Sequence, residues 1–219
     1  AHTMGQGQSM LRRVSWKNVT GGAPPQIKQQ QRAGGARTLP PLAWIDVETT
    51  GLVAEKDVIL EVAMVVTDSE LNELAPAQSL VIGHSQAKVR SKLNAWSLKC
   101  HTKSGLLDEV SQSKLTLKEA EQKLLEHLLE HCPKANRAIL AGNNVGFDRR
   151  FIEQHMPVLA GHLHFRNVDV SSVNELAKRW AAPDVLARHK KTFTHRAIDD
   201  ITESLRELRF YKQHFFVRR

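Results

Sequence analysis

The sequence predicts an α/β protein built on a mixed sheet, and three observations carry that prediction. Three apolar, strand-length runs follow one another at 42–52, 57–68 and 78–84, with turn signals between them. A helical apolar rhythm occupies 116–132 and returns over 197–215. Between those helices, short apolar runs at 137–142 and 166–170 alternate with helical segments, as crossovers in a partly parallel sheet require.

Taken in order, "LAWIDVETTGL" (42–52) is an apolar strand closed by a glycine turn, and "DVILEVAMVVTD" (57–68) is a second, buried strand. "DSELNELA" supplies a turn before a third strand, "QSLVIGH" (78–84), so the first three strands form a meander. Over 89–107 the pattern weakens; this stretch holds Trp96 in "NAWSL" and the polar loop "HTKSG". Thr116-Leu-Lys-Glu119 is a capping box opening an amphipathic helix that Pro133 stops. "RAILAG" (137–142) is a strand running into "NNVGFDRRFIEQHMP", where a helix starts about Asp148, and "RNVDV" leads to a helix over "SSVNELAKRW". Asp169 reads as a cap for that helix. Residues 183–194, with Arg188, His189, Lys190 and Lys191, form a basic loop before the last helix. Ile198, Ile201, Leu205, Leu208 and Tyr211 share one face of it.

Charge is unevenly placed. Of 31 basic and 23 acidic residues, six basic ones and no acid lie in 1–45, which leaves 25 against 23 for the body. A long nucleic-acid partner therefore cannot be argued from net charge. Residues 1–41 also hold six of the twelve glycines and four of the eight prolines, too little apolar surface to fold alone, and read as a disordered basic extension. Ala1-His2-Thr3-Met4 reads as a cloning remnant. From Met10, "MLRRVSWKNVTGG" is Arg-containing and acid-free, as mitochondrial transit peptides are, so the expected location is mitochondrial, cytoplasmic or both. No apolar run approaches the roughly 18–20 residues of a membrane span. Cys100 and Cys132 are too few for a disulfide framework and read as free thiols.

Three places carry candidate chemistry. Asp46 and Glu48 stand two apart on a strand and so share a face, where like charges repel unless a hard cation such as Mg²⁺ or Mn²⁺ sits between them. Hydrated acids at a strand end are the alternative. Asp148 opens a helix, where it could serve a metal or simply complement the helix N-terminus. His195 precedes Asp200 by five residues at a loop entering the last helix, an arrangement equally compatible with a structural role.

Together the three stations read Asp46-x-Glu48-x-x-Gly51, Asn144-x-x-Phe147-Asp148 and His195-x-Ala197-x-x-Asp200. This series resembles the DEDDh 3′–5′ exonucleases, which implies a ribonuclease-H-like fold. The pattern aligns Asp200, not Asp199, with the fourth acidic position. The sister tyrosine-type group needs a tyrosine where His195 stands, and the sole tyrosine, Tyr211, follows Asp200. Within the family the chain is similar to oligoribonucleases from about Leu42 to Phe216, through "WIDVETTGL", "HTKSGL", "GNNVGFDRRF", "RNVDVSSVNELAKRW" and "THRAIDDITESLREL".

The resemblance implies two divalent ions held by Asp46, Glu48, Asp148 and Asp200, with His195 as general base. It implies a homodimer acting on short single-stranded RNA. Leu52 then wedges between terminal bases, Trp96 stacks on one, and Arg166 meets the 5′ side. Two positions depart from the family pattern: Asn144 replaces a phosphate-contacting serine, and Phe165 replaces a tyrosine that reaches the partner's site. Phenylalanine keeps the stacking face and loses the hydroxyl. Alternatives within reach are a general or DNA-proofreading exonuclease and a catalytically dead RNA-binding module.

Overall fold

The first apolar run folds as strand β1 (Leu42–Thr49), the middle strand of a five-stranded sheet. It pairs antiparallel with β2 (Ile59–Thr67), which pairs antiparallel with β3 (Gln78–Val81), completing the expected meander. On its other side β1 runs parallel to β4 (Ile139–Gly142), and β4 parallel to β5 (Asn167–Asp169), giving the order β3-β2-β1-β4-β5. The computed structural model describes residues 39–182 and 195–216. The basic extension read over 1–41, except its last three residues, and the basic loop 183–194 lie outside them.

Four helices separate β3 from β4: α1 (Gln86–Arg90), α2 (Ala95–Lys103), α3 (Leu106–Gln112) and α4 (Leu117–His131). α5 (Gly146–His155) and α6 (Pro157–His162) join β4 to β5, and α7 (Val170–Trp180) and α8 (Ala197–Phe215) follow. Alternation along β1 sends Ala43, Ile45 and Val47 into one core with Leu124 and Leu128 of α4 and Phe151 of α5. Trp44 points the other way, into a second core with Ala177 of α7 and Ile201, Leu205 and Tyr211 of α8. Asp46 and Glu48 are in phase with Trp44, so they stand on the α7–α8 side of the sheet.

The caps follow the sequence. Thr116 accepts from the Glu119 amide while the Glu119 carboxylate accepts from the Thr116 amide, closing the capping box of α4. Asp169 accepts from the Ser171 amide as the cap of α7. Tyr211 is buried and its hydroxyl donates to Glu207, a structural position.

Two expectations need correction. The third strand stops at Val81, short of 84, because the chain there pairs with another segment: the Gly83 amide donates to the Leu115 carbonyl, and a Cβ at Gly83 would lie 2.3 Å from the Ser113 carbonyl oxygen. The weak stretch 89–107 is mostly helical, and "HTKSG" forms the end of α2 and a turn instead of a loop. Asn94 caps α2 through the Ser97 amide. The helices are short and bury few side chains, Val89, Leu106 and Val110 against Leu60, so their apolar rhythm is faint in the sequence.

Leu124 is fully buried in α4, whereas the Thr116 cap lies at the surface. Leu124→Ala should lower the unfolding free energy by about 2–5 kcal/mol and Thr116→Ala by about 1 kcal/mol; urea unfolding of both variants side by side checks that ordering.

Candidate active site

The site grows from the place where β1 outruns its parallel neighbour. Pairing with β4 ends at Trp44 opposite Ala141, and β4 itself ends at Gly142. The chain turns there through Asn143 and Asn144, the latter in the left-handed region at φ 50°, and enters α5. Asp148, in the first turn of α5, is thereby aimed back at the sheet. Its Oδ1 accepts the Val47 amide at 3.1 Å, three residues beyond the last β1–β4 pair. The side chain that sequence alone left between metal and helix terminus thus also ties α5 to β1.

Asp46 and Glu48 share the face that α8 covers, and the first turn of α8 brings Asp200 to them. Carboxylate oxygens of Asp46, Glu48 and Asp200 all lie within 4.8 Å of one another, and Asp148 is only 3% exposed. Burial is the main reason that all four carboxyls are held above their ordinary range, and mutual repulsion adds to it. Glu48 is pushed to about 8, Asp148 to about 7 and Asp200 to about 6, while Asp46 is raised well above its usual value. A hard divalent cation relieves that crowding, and an all-oxygen donor set suits one. A second group, His127, Glu130 and His131, lies on α4, outside the cleft.

The cleft above the acids is lined by Leu52, Trp96, Ser97, His101, Phe147 and His195. His195 sits just before α8 with φ 56°, a backbone state rare for a side chain of its size. Its ring meets that of Trp96 edge to face, centroids 5.6 Å apart. Trp96 itself is 62% exposed, on the cap-proximal turn of α2. Leu52 is 73% exposed on a turn held from beneath. There Asp57 accepts from the Thr50 hydroxyl at 3.0 Å and the Val53 amide at 2.9 Å. A Cβ at Gly51 would come within 2.6 Å of that carboxylate, so a side chain there would displace Asp57 from beneath the turn.

Six of the ten sequence-derived positions, Asp46, Glu48, Leu52, Trp96, His195 and Asp200, line this cleft, with Asp148 directly behind it. Asn144, Phe165 and Arg166 do not line it. Asn144 forms the turn before α5, its amide donating to Asp169 and Ser171. Phe165 is 76% exposed, stacked on His164 and topped by the Arg166 guanidinium 5.3 Å from its ring centroid. His101, which the sequence places in a polar loop, lies on α2. It is buried, its Nε2–H donates to the Thr49 carbonyl at 2.9 Å, and its Nδ1 lies 3.8 Å from Glu48. Burial lowers its pKa and keeps the ring neutral, a brace for the end of β1. Asp57 also went unnoticed, since one acid in a turn carries no sequence signal.

Residues 43–208 match the family model described as exonuclease. The chain is 45% identical to an oligoribonuclease of Haemophilus ducreyi over 174 residues, covering 80% of this chain and 93% of that protein. Among solved structures it resembles Schizosaccharomyces pombe Pop2p in its Mg²⁺- and Mn²⁺-bound form, with TM-score 0.62 and 14% identity over 81% of this chain and 84% of that one. It also resembles exonuclease I of Methylocaldum szegediense, with TM-score 0.60 and 16% identity; the match covers 80% of this chain and spans 41% of that longer one. These two likenesses show the shared α/β fold.

The raised carboxyls set a pH dependence. Each holds its proton in the folded chain over the window from its unfolded pKa, about 4, up to its raised folded value. Stability is therefore greatest at the acid end and is lost as pH rises through about 6 to 8. In chelator, the melting temperature should fall between about pH 5 and pH 8, and Asp46→Asn should flatten that fall. Mn²⁺ should raise the melting temperature more at the alkaline end; calorimetric scans across the window check both signs.

Proposed function

The chain belongs to the oligoribonucleases, within the exonuclease family, and from that membership we propose how its cleft acts on RNA. It is a 3′–5′ exoribonuclease, a hydrolase of phosphodiester bonds. The observation that carries the detailed reading is the convergence of Asp46, Glu48 and Asp200 with His195 beneath an exposed Trp96 and Leu52, with Asp148 behind them.

Asp46, Glu48, Asp148 and Asp200 would hold two divalent ions, Mg²⁺ or Mn²⁺. Such ions, when bound, acidify the attacking water and neutralise charge on the 3′ leaving oxygen. His195 takes the proton from that water. The water oxygen bonds to phosphorus, the bond from phosphorus to the 3′ oxygen breaks, and a 5′-mononucleotide leaves. Trp96 holds His195 at its edge and offers a face to a base. Leu52, projecting from its rigid turn, separates the last two bases.

Short RNA is the substrate this arrangement serves. A body with 25 basic and 23 acidic residues carries little net charge with which to track a long backbone, so grip comes from stacking at the terminus. Phe165, exposed and outside its own chain's cleft, suits a role in the cleft of a second copy, and the protein acts as a homodimer with Arg166 beside that contact. Asn144 can donate its side-chain amide to a phosphate near Asp148. The domain spans 42–216, and the basic extension 1–41 directs part of the protein to mitochondria.

Hydrolysis of an RNA dinucleotide, a pentanucleotide and a twenty-mer with Mn²⁺ tests the reading. The two short substrates should be cleaved fast and the twenty-mer slowly. His195→Ala should lose about 10²–10⁴ in rate while still binding Mn²⁺. Equal rates at every length would discard the short-RNA preference, and faster cleavage of long single-stranded DNA would move the enzyme to the general exonucleases.

A further inference from the structure

The acidic site contains a fifth carboxylate. Glu61 of β2 stands directly opposite Glu48 in the β1–β2 register, so both side chains rise from the same face of the sheet. Glu61 is completely buried and, like Asp148, lies outside the trio of Asp46, Glu48 and Asp200 whose oxygens converge. Arg196 holds it instead. The guanidinium Nε donates to Glu61 Oε2 at 3.0 Å and Nη2 to Oε1 at 3.1 Å, and the Ser79 hydroxyl donates to Oε1 at 2.9 Å. The same guanidinium donates to both oxygens of Glu109 on α3, at 2.7 and 2.9 Å.

One planar group therefore makes two forks, one into the buried floor of the sheet and one out to a helix at its edge. Lysine, with a single ammonium, cannot reproduce that geometry. The clamped residue is flanked by the site itself. His195 precedes it at φ 56°, and the Arg196 carbonyl accepts the amides of Asp199 and Asp200 at 3.0 and 3.1 Å, starting the helix that presents Asp200. A strained backbone persists only where its surroundings fix it. Here the fixed point is the side chain next in sequence.

We propose that Arg196 is a positioning residue: its double clamp on Glu61 and Glu109 sets His195 over the cleft and withholds the fifth carboxylate, Glu61, from the metal-binding acids. This rests on His195 being the general base. The two halves of the proposal move two readouts in opposite directions, which a merely structural anchor would not do. Loss of the clamp lets His195 wander, and a displacement on the order of 1 Å costs about 10² in rate. It also frees one negative charge beside Glu48, so cation binding is preserved or tightened.

The test measures kcat and KM on an RNA dinucleotide, Mn²⁺ binding by calorimetry and melting temperature, for Arg196→Lys, Arg196→Met, Glu109→Gln and His195→Ala. Arg196→Met should lose about 10² in kcat with KM little changed, and should bind Mn²⁺ at least as tightly as wild type. Adding Glu61→Gln to Arg196→Met should remove any gain in Mn²⁺ affinity without restoring kcat. Arg196→Lys keeps the charge without the forks and should also be slow. Glu109→Gln cuts only the outer, half-exposed arm and should fold and fall between wild type and Arg196→Lys. Wild-type kcat in Arg196→Lys and Glu109→Gln beside an inactive His195→Ala would overturn the clamp alone. Parallel loss of Mn²⁺ binding and melting temperature in the Arg196 variants would reduce it to a scaffold contact. An active His195→Ala would sink the base assignment and this proposal with it.

Discussion

Like charges that are buried together repel strongly, because protein offers little of the screening that water provides. Asp46, Glu48, Asp148 and Asp200 meet under that constraint, and the surrounding architecture answers it residue by residue. The Val47 amide donates to Asp148. Arg196 neutralises Glu61. His101 braces the strand end without adding a charge of its own, because burial keeps its ring neutral. What remains unanswered by the protein is the repulsion among the acids facing the cleft. A site left in that condition, its donors all oxygen, is suited to receive cations.

The topology explains why these side chains, far apart in sequence, arrive together. β1 is central, so it has neighbours on both sides, but its parallel partner stops early and leaves the strand end open. That opening is where α5 begins. α8 crosses the face where Trp44, Asp46 and Glu48 alternate with residues buried beneath the sheet, and its apolar stripe of Ile201, Leu205 and Tyr211 rests against Trp44 and Ala63. The packing that stabilises the fold also sets the height at which Asp200 enters the cluster. Asn143 extends the coupling: it donates to Ser204 and Glu207 of α8 and accepts from Ser171 of α7, joining the β4 turn to the helices that complete the site.

Much of this was legible in the chain. The i, i+2 pair on an apolar strand located the face of Asp46 and Glu48, and the resemblance of three short stations to the DEDDh exonucleases pointed to Asp148, His195 and Asp200. Strand alternation and the capping box of α4 were equally plain, because local propensity and tertiary packing agree there. What stayed hidden depends on partners brought in by the fold. His101 gains its meaning from the Thr49 carbonyl, Asp57 from the glycine beneath which it lies, and Arg196 from two glutamates more than eighty residues upstream. α1 to α3 were faint because short helices over a small satellite core need few apolar residues. The ends of strands were misjudged by a few residues for a related reason, since a competing hydrogen bond, not composition, decides where pairing stops.

That satellite core has a wider consequence. Val89, Leu106 and Val110 gather around Leu60 apart from the two main cores, so the segment carrying Trp96 has an apolar centre of its own. It is joined to the acidic floor by His101 and by the Glu109 arm of Arg196. The wall that carries Trp96 is thus tied to the acidic floor by these side chains as well as by its packing on Leu60 of β2. Because that segment has its own apolar centre, its exposed aromatic can be exchanged while the acids of the floor keep their register. One catalytic surface can then serve enzymes that differ in how much of a strand they admit.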